Sequence, residues 1–432
     1  MMKLFTWKDV ERCLYLNKDK WRKKIAELEV YPNNIQIYAI GDSKEEIYTI
    51  IEDILKREIK EDEIILDLSE QRMYISIEQS ENNEVKNINN RIVPLFRNIL
   101  YQTQSAYEQN MLSTKFDGVP VIAFHSYKGG VGRTLSLISF VKAWTEKRDE
   151  DKTLLVIDAD VEAPGLSWIC DGVNNEQKFS YLDLLVLAQQ SRDAKKLAES
   201  VREKIKLSTF SYENDNRMYS QYFMPTYRYE EQLLDIYASP QSIVQGYDKR
   251  YFMGELLSYV GKVLGVEAVI VDLRAGISDF SAPLLFDPRI KKYIVSSTSY
   301  QSCVGTDLLL RQLLKGLNID KDTLIPEVLI TMVQKNENTE DIHDIIRNSY
   351  ELNISENNQD LLDHVIYDLD YASELIRLES LQQIMFTLDS AGRGFHDKIR
   401  NIVTKNYESP LENREENNPT INRADIIHRI HD

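Results

Sequence analysis

The sequence predicts an α/β protein in which a small α/β N-terminal domain precedes a doubly wound, mostly parallel sheet. Three observations lead to this prediction. Strand-like runs alternate with long helical patterns from about residue 119, several of those runs are apolar throughout, and a shorter amphipathic region precedes them. Strands that are covered by helices on both faces have no wet side, so continuously apolar runs are typical of such a sheet.

The first predicted domain covers residues 1–115. It contains one amphipathic helix and three strands, at 35–40, 63–68 and 73–78. The helix is indicated by apolar residues at helical spacing, which are Ile47, Ile50, Ile51, Ile54 and Leu55. No catalytic constellation is found in this region, and we treat it as a possible partner-binding module.

The second predicted domain covers residues 116–404, and residues 405–432 form an acidic C-terminal tail that we expect to be disordered. Strand–helix–strand repetition within the second domain favours a parallel sheet. Its strand candidates are 119–126, 153–160, 221–227, 233–239, 267–273, 292–297 and 325–333.

The composition excludes several classes of function. Of the 432 residues, 43% are hydrophobic and 28% are charged, which is ordinary for a soluble globular protein. Three scattered cysteines without a CxxC pair argue against a disulfide framework and against a zinc site, and favour the cytoplasm. A net charge of −17 argues against direct DNA binding, and the lack of a long apolar stretch argues against a membrane-spanning segment. The C-terminal segment 423-RADIIHRIHD-432 is too short and too weakly basic for a membrane helix, so membrane binding is not expected.

One short stretch, 123-AFHSYKGGVGRTLSL-137, has the composition of a phosphate-binding loop. Three glycines separate an apolar strand from an apolar helix, and they let the backbone curl so that its N–H groups converge at the helix N-terminus. These groups belong to Gly130, Gly132, Arg133 and Thr134. The hydroxyl of Thr134 suits a Mg²⁺ ion on a bound nucleotide.

Two later strands end in carboxylates. The first continues as 156-VIDADVEAPGLS-167 and the second as 269-VIVDLRAG-276. Ligands of an open α/β sheet lie at the carboxyl ends of its strands. We therefore expect Asp158, Asp160 and Asp272 to lie close to the glycine-rich loop.

The segment KGGVGRT resembles the deviant Walker A motif of the ParA/MinD superfamily of P-loop ATPases, which is usually KGGVGKT, and the resemblance extends from residue 119 to about 400. In that family the lysine corresponding to Lys128 crosses a dimer interface to the nucleotide of the partner. Arg133 replaces the ordinary P-loop lysine, as in a KGGVGR variant subgroup. Arginine keeps the positive charge and can pair bidentately with phosphate, but it is bulkier, so we expect binding with slow hydrolysis.

The resemblance also implies the other roles in the site. Asp160 corresponds to the residue that orients the attacking water, so Lys128, Arg133 and Asp160 are the predicted catalytic residues. Thr134, Asp158 and Asp272 are the predicted metal residues, with Asp158 in the outer shell of Mg²⁺ and Asp272 holding a Mg²⁺-bound water. The predicted nucleotide-binding residues are Lys128, Gly129, Gly130, Val131, Gly132, Arg133, Thr134 and Leu135. ATP and Mg²⁺ are the implied cofactors, and an ATP-dependent homodimer is the implied assembly.

Three positions remain open at this stage. Many members of the family have an adenine-contacting Asn where 328-VLITMVQKN-336 has Thr331, with Gln334 nearby, so the preference for adenine rests on the resemblance alone. Arg274 could contact phosphate or pair with an acid. We expect His125 to serve in packing or outside direct ligand contact.

The predicted function is a Mg-ATP-binding and hydrolysing switch that dimerises on ATP and recruits or releases an unidentified protein partner. The resemblance to the variant subgroup suggests a bacterial multi-gene, defence-like module. One alternative is a nucleotide-binding scaffold with little or no hydrolysis, and another is a kinase.

Overall fold

The computed structural model describes residues 3–41, 44–67, 72–80, 115–148, 150–170, 178–191, 193–214, 216–234, 238, 251–314, 324–351, 362, 364–376 and 380–407. The chain divides into two compact units, Met1–Pro94 and Leu95–Asp432. The predicted boundary near residue 115 adjoins a segment, 81–114, that lies outside the described residues, as does most of the predicted tail, from residue 408 onward.

The N-terminal unit packs helices on one face of a four-stranded sheet. Its elements are α1 (Trp7–Leu16), α2 (Lys18–Trp21), β1 (Ile25–Val30), β2 (Asn34–Ala39), α3 (Lys44–Leu55), β3 (Glu63–Ile65) and β4 (Arg72–Gln79). The strand order is β1-β2-β4-β3, with β2 and β4 parallel and the other pairs antiparallel. Alternate strand residues such as Ile35 and Ile37 are buried with Ile47 and Ile51 of α3, as their period predicts.

The larger unit alternates strands with helices. Its elements are β5 (Val121–His125), α4 (Arg133–Arg148), β6 (Leu154–Ala159), α5 (Leu166–Cys170), α6 (Tyr181–Gln190), α7 (Ala194–Ile205), β7 (Thr209–Asn214), β8 (Arg217–Met224), α8 (Phe252–Leu264), β9 (Ala268–Leu273), α9 (Ala282–Leu285), β10 (Lys291–Ser297), α10 (Tyr300–Leu313), β11 (Glu327–Val333), α11 (Glu340–Glu351), β12 (Ile366–Asp370), α12 (Leu381–Asp389) and α13 (Arg393–Asn406). Short 3₁₀ helices occur at Glu230–Leu233 and Ser373–Leu375.

Eight strands form the sheet in the order β12-β11-β10-β5-β9-β6-β8-β7. Only the edge pair β7–β8 is antiparallel, so the predicted α/β class and mostly parallel sheet are confirmed. From β5 the chain moves through α4 to β6 on one side, and later adds β10 on the other side. The loop after β5 therefore lies where the strand order reverses, which is the usual ligand position of an open α/β sheet.

Helices cover both faces of this sheet, which explains the apolar strands. Val121 and Ala123 of β5 pack into the cluster that contains α6 to α11, whereas Ile122 and Phe124 face the cluster of α4, α12 and α13.

A buried polar network also joins α4 to α13. His396 lies 2.8 Å from the Ser139 hydroxyl and 3.2 Å from the Glu146 carboxylate. These bonds fix the helix that begins at the glycine-rich loop.

The predicted strand at 233–239 is wrong at its start. Residues Glu230–Leu233 form a 3₁₀ helix, and the apolar side chain of Leu234 is 91% exposed. Most of the remainder of that segment lies outside the described residues. Three strands had no prediction, β1, β7 and β12. The short edge strand β12 has a mostly half-buried pattern, which lacks the continuous apolar run of the central strands.

Candidate functional site

The glycine-rich loop between β5 and α4 leads into the N-terminus of a 16-residue helix. Gly130 and Gly132 have φ angles of +73° and +81°, a left-handed conformation that glycine adopts without strain. Among the described residues, nothing beyond the chain neighbours lies within 4 Å of the position that a Cβ would take at Gly129 or Gly130. The free N–H groups and the dipole at a helix N-terminus make such a loop suitable for phosphate.

The far end of this loop is held by Thr331 on β11. Its Oγ1 lies 2.6 Å from the carbonyl oxygen of Val131 and 2.9 Å from that of Ser296, so the hydroxyl can donate to either. Thr331 is buried, whereas Gln334 is exposed. The position that the resemblance assigns to base contact is thus used here to hold the loop.

Arg133 joins the two predicted carboxylate strands. Its Nε donates to Oδ1 of Asp272 at 2.5 Å, and its Nη2 donates to Oδ2 of Asp160 at 2.9 Å. All three side chains are buried, with 9%, 0% and 3% of their surface exposed respectively. The guanidinium therefore lies between the carboxylates that we predicted to orient water and to hold a metal.

The remaining predicted metal residues lie beside this ion pair. Thr134 donates from Oγ1 to Oδ2 of Asp272 at 2.7 Å, and Asp158 is the direct neighbour of Asp272 in the register of β6 and β9. Both oxygens of Asp158 accept bonds within its own loop, from the Asp160 N–H at 3.2 Å and from the Ser167 N–H and hydroxyl at 2.7 and 2.8 Å. Asp158 therefore orders the loop between β6 and α5.

Burial and neighbouring charge shift the pKa values of Asp158, Asp272 and Arg133. Burial, and then the charge of Asp272, raise the pKa of Asp158 to about 7. Burial likewise raises the pKa of Asp272, although Arg133 and Thr134 oppose that rise. Burial opposes the charged form of Arg133, but Asp272 and Asp160 outweigh it and raise the pKa of the guanidinium. Arg133 is therefore a permanent cation beside Asp272, whose ionisation is disfavoured by burial.

Arg274, for which sequence left two possibilities, pairs with Glu162. This ion pair joins the loops that follow β6 and β9. The N–H of Gly276 donates to the carbonyl oxygen of Ser126 at 2.8 Å, which ties the second of these loops to the end of β5. His125 is fully buried. Its burial, and to a lesser extent the charge of Arg133, lower its pKa to about 3, so the imidazole is neutral and packs in the core.

The other predicted loop residues differ in exposure. Lys128 is half-buried, and no hydrogen bond or ion pair links its ammonium group to any residue that the structure describes. Val131 is buried in the core, and Leu135 packs against the same cluster. Val131 could therefore meet a ligand only through its backbone atoms, whereas Leu135 is half-buried.

The residues present fit a phosphate group and a hard cation. The glycine-rich loop, with open space beside Gly129 and Gly130, suits phosphate oxygens. Hydroxyl and carboxylate oxygens, such as Oγ1 of Thr134 and Oδ2 of Asp272, are the kind of ligand that Mg²⁺ prefers. Sequence reasoning missed Ser167, which anchors Asp158, and the role of Thr331. Ser167 could have been found, because a small hydroxyl residue at the start of a helix is a detectable signal. The role of Thr331 could not, because its contact is with a loop residue 200 positions away in the sequence.

Neither a membrane-spanning helix nor a metal-binding group of side chains is found among the described residues. No helix among them is long and apolar enough to cross a membrane. No group of three or more His, Cys, Asp and Glu side chains in those same ranges is arranged to hold a metal ion.

The sequence matches no protein-family model and no curated protein. Solved structures do show similarity at low identity. A ParA family ATPase from Chlorobium tepidum is 16% identical with a TM-score of 0.42, over 67% of this chain and 98% of that chain. The septum site-determining protein MinD with Mg-ADP from Pyrococcus horikoshii is 18% identical with a TM-score of 0.42, over 66% and 96%. A chain of the MinC:MinD cell division protein complex from Aquifex aeolicus is 19% identical with a TM-score of 0.40, over 66% of this chain and 96% of that chain.

Proposed function

We propose that this protein is a cytoplasmic switch that binds and slowly hydrolyses Mg-ATP, dimerises on ATP, and recruits or releases a protein partner. One observation carries the proposal. The open loop at the N-terminus of α4 adjoins Arg133, Thr134, Asp160 and Asp272, which hydrogen bonds bring together. Phosphoryl transfer to water needs positive charge around the transferred group and an oriented nucleophile, and this set has residue types for both.

The chain's own residues would divide the work as follows. The backbone N–H groups of Gly130, Gly132, Arg133 and Thr134 bind the phosphate oxygens. The guanidinium of Arg133 and the ammonium of Lys128 neutralise their charge. Thr134 and Asp272 would hold Mg²⁺, Asp272 through a bound water, with Asp158 behind them, and the ion would supply further positive charge for the phosphates.

Hydrolysis would require Asp160 to orient a water in line with the γ-phosphorus. The water oxygen forms a bond to that phosphorus while the bond to the bridging oxygen breaks, so that ADP and inorganic phosphate leave and the water proton passes to phosphate or solvent. Asp160 is bonded to Arg133 in the structure, so it can perform this step only after the guanidinium has moved to the phosphates. That exchange is our reason for expecting slow turnover.

The same observation supports the alternative function. If the hydrogen bond from Arg133 to Asp160 persists while a nucleotide is bound, Asp160 cannot orient a water. The protein would then be a nucleotide-binding scaffold with little or no hydrolysis. The two functions differ in turnover and not in binding.

Two features of the carboxyl edge of the sheet support ATP-dependent dimerisation. Lys128 has no partner within the described part of its own chain, so it is available to a second subunit. In addition, four apolar side chains near this edge are at least 37% exposed: Trp168, Ile277 and Tyr300 follow β6, β9 and β10, and Met332 lies near the end of β11. Exposed apolar groups on one edge are typical of an interaction surface.

The partner class follows from charge and domain organisation. A net charge of −17 argues against DNA as the partner, and we infer a protein that binds the N-terminal unit. A role in a bacterial defence-like module remains a hypothesis that rests on the KGGVGR resemblance.

The test is the solution mass of Asp160→Ala with and without Mg-ATP, together with the steady-state hydrolysis rate of the unmodified protein. We expect the mass to double with Mg-ATP, and we expect the doubling to be absent when Lys128→Ala is added. Lys335→Ala is the matched control, because Lys335 is an exposed lysine at the same sheet edge. An unchanged mass with measurable nucleotide binding and no turnover would favour the scaffold, and absence of nucleotide binding would refute both functions.

A further inference from the structure

Tyr127, the residue before Lys128, packs onto a gap in helix α10. Gly305 is buried in the middle of that helix, and a methyl group at this position would overlap the Cγ, Cδ1 and Cε1 atoms of the Tyr127 ring. The ring therefore lies directly against the helix backbone, in a space that exists because residue 305 has no side chain. We call this space the Gly305 notch.

The helix that carries the notch is itself fixed to the end of β10. The hydroxyls of Ser302 and Thr306 lie 3.0 and 3.1 Å from the Ser296 hydroxyl, and the Ser297 N–H donates to Ser302 at 3.1 Å. The carbonyl of Ser296 is also a hydrogen-bond partner of Thr331, which holds the other end of the loop. One hydroxyl cluster thus supports both attachments of the glycine-rich loop.

Between those attachments the loop has little side-chain support. Tyr127 is attached at the Gly305 notch, and Val131 is attached through its carbonyl oxygen to Thr331. Gly129 and Gly130 have open space on their side-chain sides. Tyr127 is therefore the last anchored residue before Lys128, and adjacent Cα atoms are fixed at about 3.8 Å from each other. The direction in which Lys128 leaves the backbone depends on where the Tyr127 ring lies.

We propose that Tyr127 is a positioning residue for Lys128 and that the Gly305 notch determines its position. The inference rests on the proposed function, in which Lys128 supplies charge to a nucleotide. Phosphates bound by backbone N–H groups tolerate a small shift of a neighbouring lysine, whereas a misplacement of about 1 Å can cost about 100-fold in the chemical step. Loss of the ring should therefore act on kcat more than on KM.

The experiment compares four variants of the full chain, Tyr127→Ala, Tyr127→Phe, Gly305→Ala and the Tyr127→Ala/Gly305→Ala double variant. Steady-state ATP hydrolysis gives kcat and KM, and hydrogen exchange of the amides of residues 128–132 in the nucleotide-free protein reports loop order independently of activity. Lys128→Ala defines the effect of losing the ammonium. Gly261→Ala is the matched control. Gly261 lies in a different helix, α8, and its added methyl group would overlap Val119 and not a residue of the glycine-rich loop.

We expect Tyr127→Ala and Gly305→Ala to lower kcat about 10-fold or more, with KM within about three-fold, and to speed loop exchange about 10-fold. Tyr127→Phe should keep kcat within about two-fold, since the ring remains. The double variant should resemble Tyr127→Ala alone, because the notch acts only through the ring.

Two results would overturn the inference. One is a Tyr127→Ala protein with unchanged kcat and unchanged loop exchange. The other is a Gly261→Ala protein that loses as much kcat as Gly305→Ala, which would reveal general destabilisation. An unmodified protein that does not hydrolyse ATP would contradict the proposed function instead, and the exchange rates would then decide alone whether Tyr127 and Gly305 order the loop.

Discussion

Replacing Arg133 by methionine tests the arrangement on which the candidate site depends. The substitution keeps an apolar chain of similar length but removes the cation that lies between Asp160 and Asp272. Those carboxylates are 3% and 0% exposed, so water cannot replace the lost charge. Breaking a buried ion pair by removing one partner costs about 3–5 kcal/mol. We expect a loss of this size in the local unfolding free energy of β6 and β9.

Arg133→Lys should have a smaller effect. Lysine restores the charge, but its ammonium is a single point and cannot repeat the two-armed contact of 2.5 and 2.9 Å. We expect a loss of about 1–2 kcal/mol. The cost of Arg133→Met should also shrink as the pH falls, because burial raises the pKa of Asp272 and a carboxyl that has taken up a proton no longer needs a cation beside it.

The assay is native-state hydrogen exchange of β6 and β9 at increasing denaturant without nucleotide, which reports on this unit without assuming that the whole chain unfolds in one step. Arg289→Met is the matched control, because Arg289 is 7% exposed and pairs through two nitrogens with Asp287 at 3.0 and 2.9 Å. Saturating Mg-ATP at about 100 times its Kd should add about 2.7 kcal/mol to this control but much less to Arg133→Met. A loss below about 1 kcal/mol in Arg133→Met, or equal losses in the Met and Lys variants, would refute the reasoning.

Three further outcomes follow from individual contacts. Thr331→Val should cost about 1 kcal/mol and speed exchange of the loop around Val131, whereas Thr331→Ser should not, because serine keeps the donor; equal exchange in both variants would contradict this. Burial alone would raise the pKa of Glu146, but hydrogen bonds from a histidine and a lysine lower it to about 2 from 4.5. Its contribution to stability is therefore present above pH 4.5 and disappears as the pH falls through 2, so urea unfolding should show the advantage over Glu146→Gln shrinking by about 1–2 kcal/mol between pH 5 and 2. A double-mutant cycle on the Arg274–Glu162 pair should give a coupling below about 1 kcal/mol, since both groups are partly exposed, and a larger coupling would show that the pair holds the two loops rigidly.

The central strands were predictable because their signal is local. Runs such as 121–125 and 268–273 are apolar on both faces, and only a strand between two helical layers needs that composition. The edge strands β7 and β12 are partly exposed, so their sequences resemble loops. The strand expected at 233–239 failed for the converse reason, since its apolar residues begin in an exposed 3₁₀ turn. Whether an apolar residue such as Leu234 is buried depends on distant neighbours and not on its own apolar character.

The sequence by itself determined the ingredients of the site. Glycines at 129, 130 and 132 specify a loop that can curl, and carboxylates at the ends of two apolar strands specify where acids must lie, because parallel strands end at the same edge. These conclusions follow from backbone geometry and strand direction, which short stretches of sequence encode.

Only the tertiary structure decided which of these groups touch. Arg133 contacts acids 27 and 139 positions away, and Thr331 contacts a carbonyl 200 positions away. Gly305, an unremarked glycine within a helix, proved to be the surface on which Tyr127 lies. Such contacts depend on the packing of elements that are far apart in the chain, and no local pattern encodes a distance between side chains that folding alone brings together.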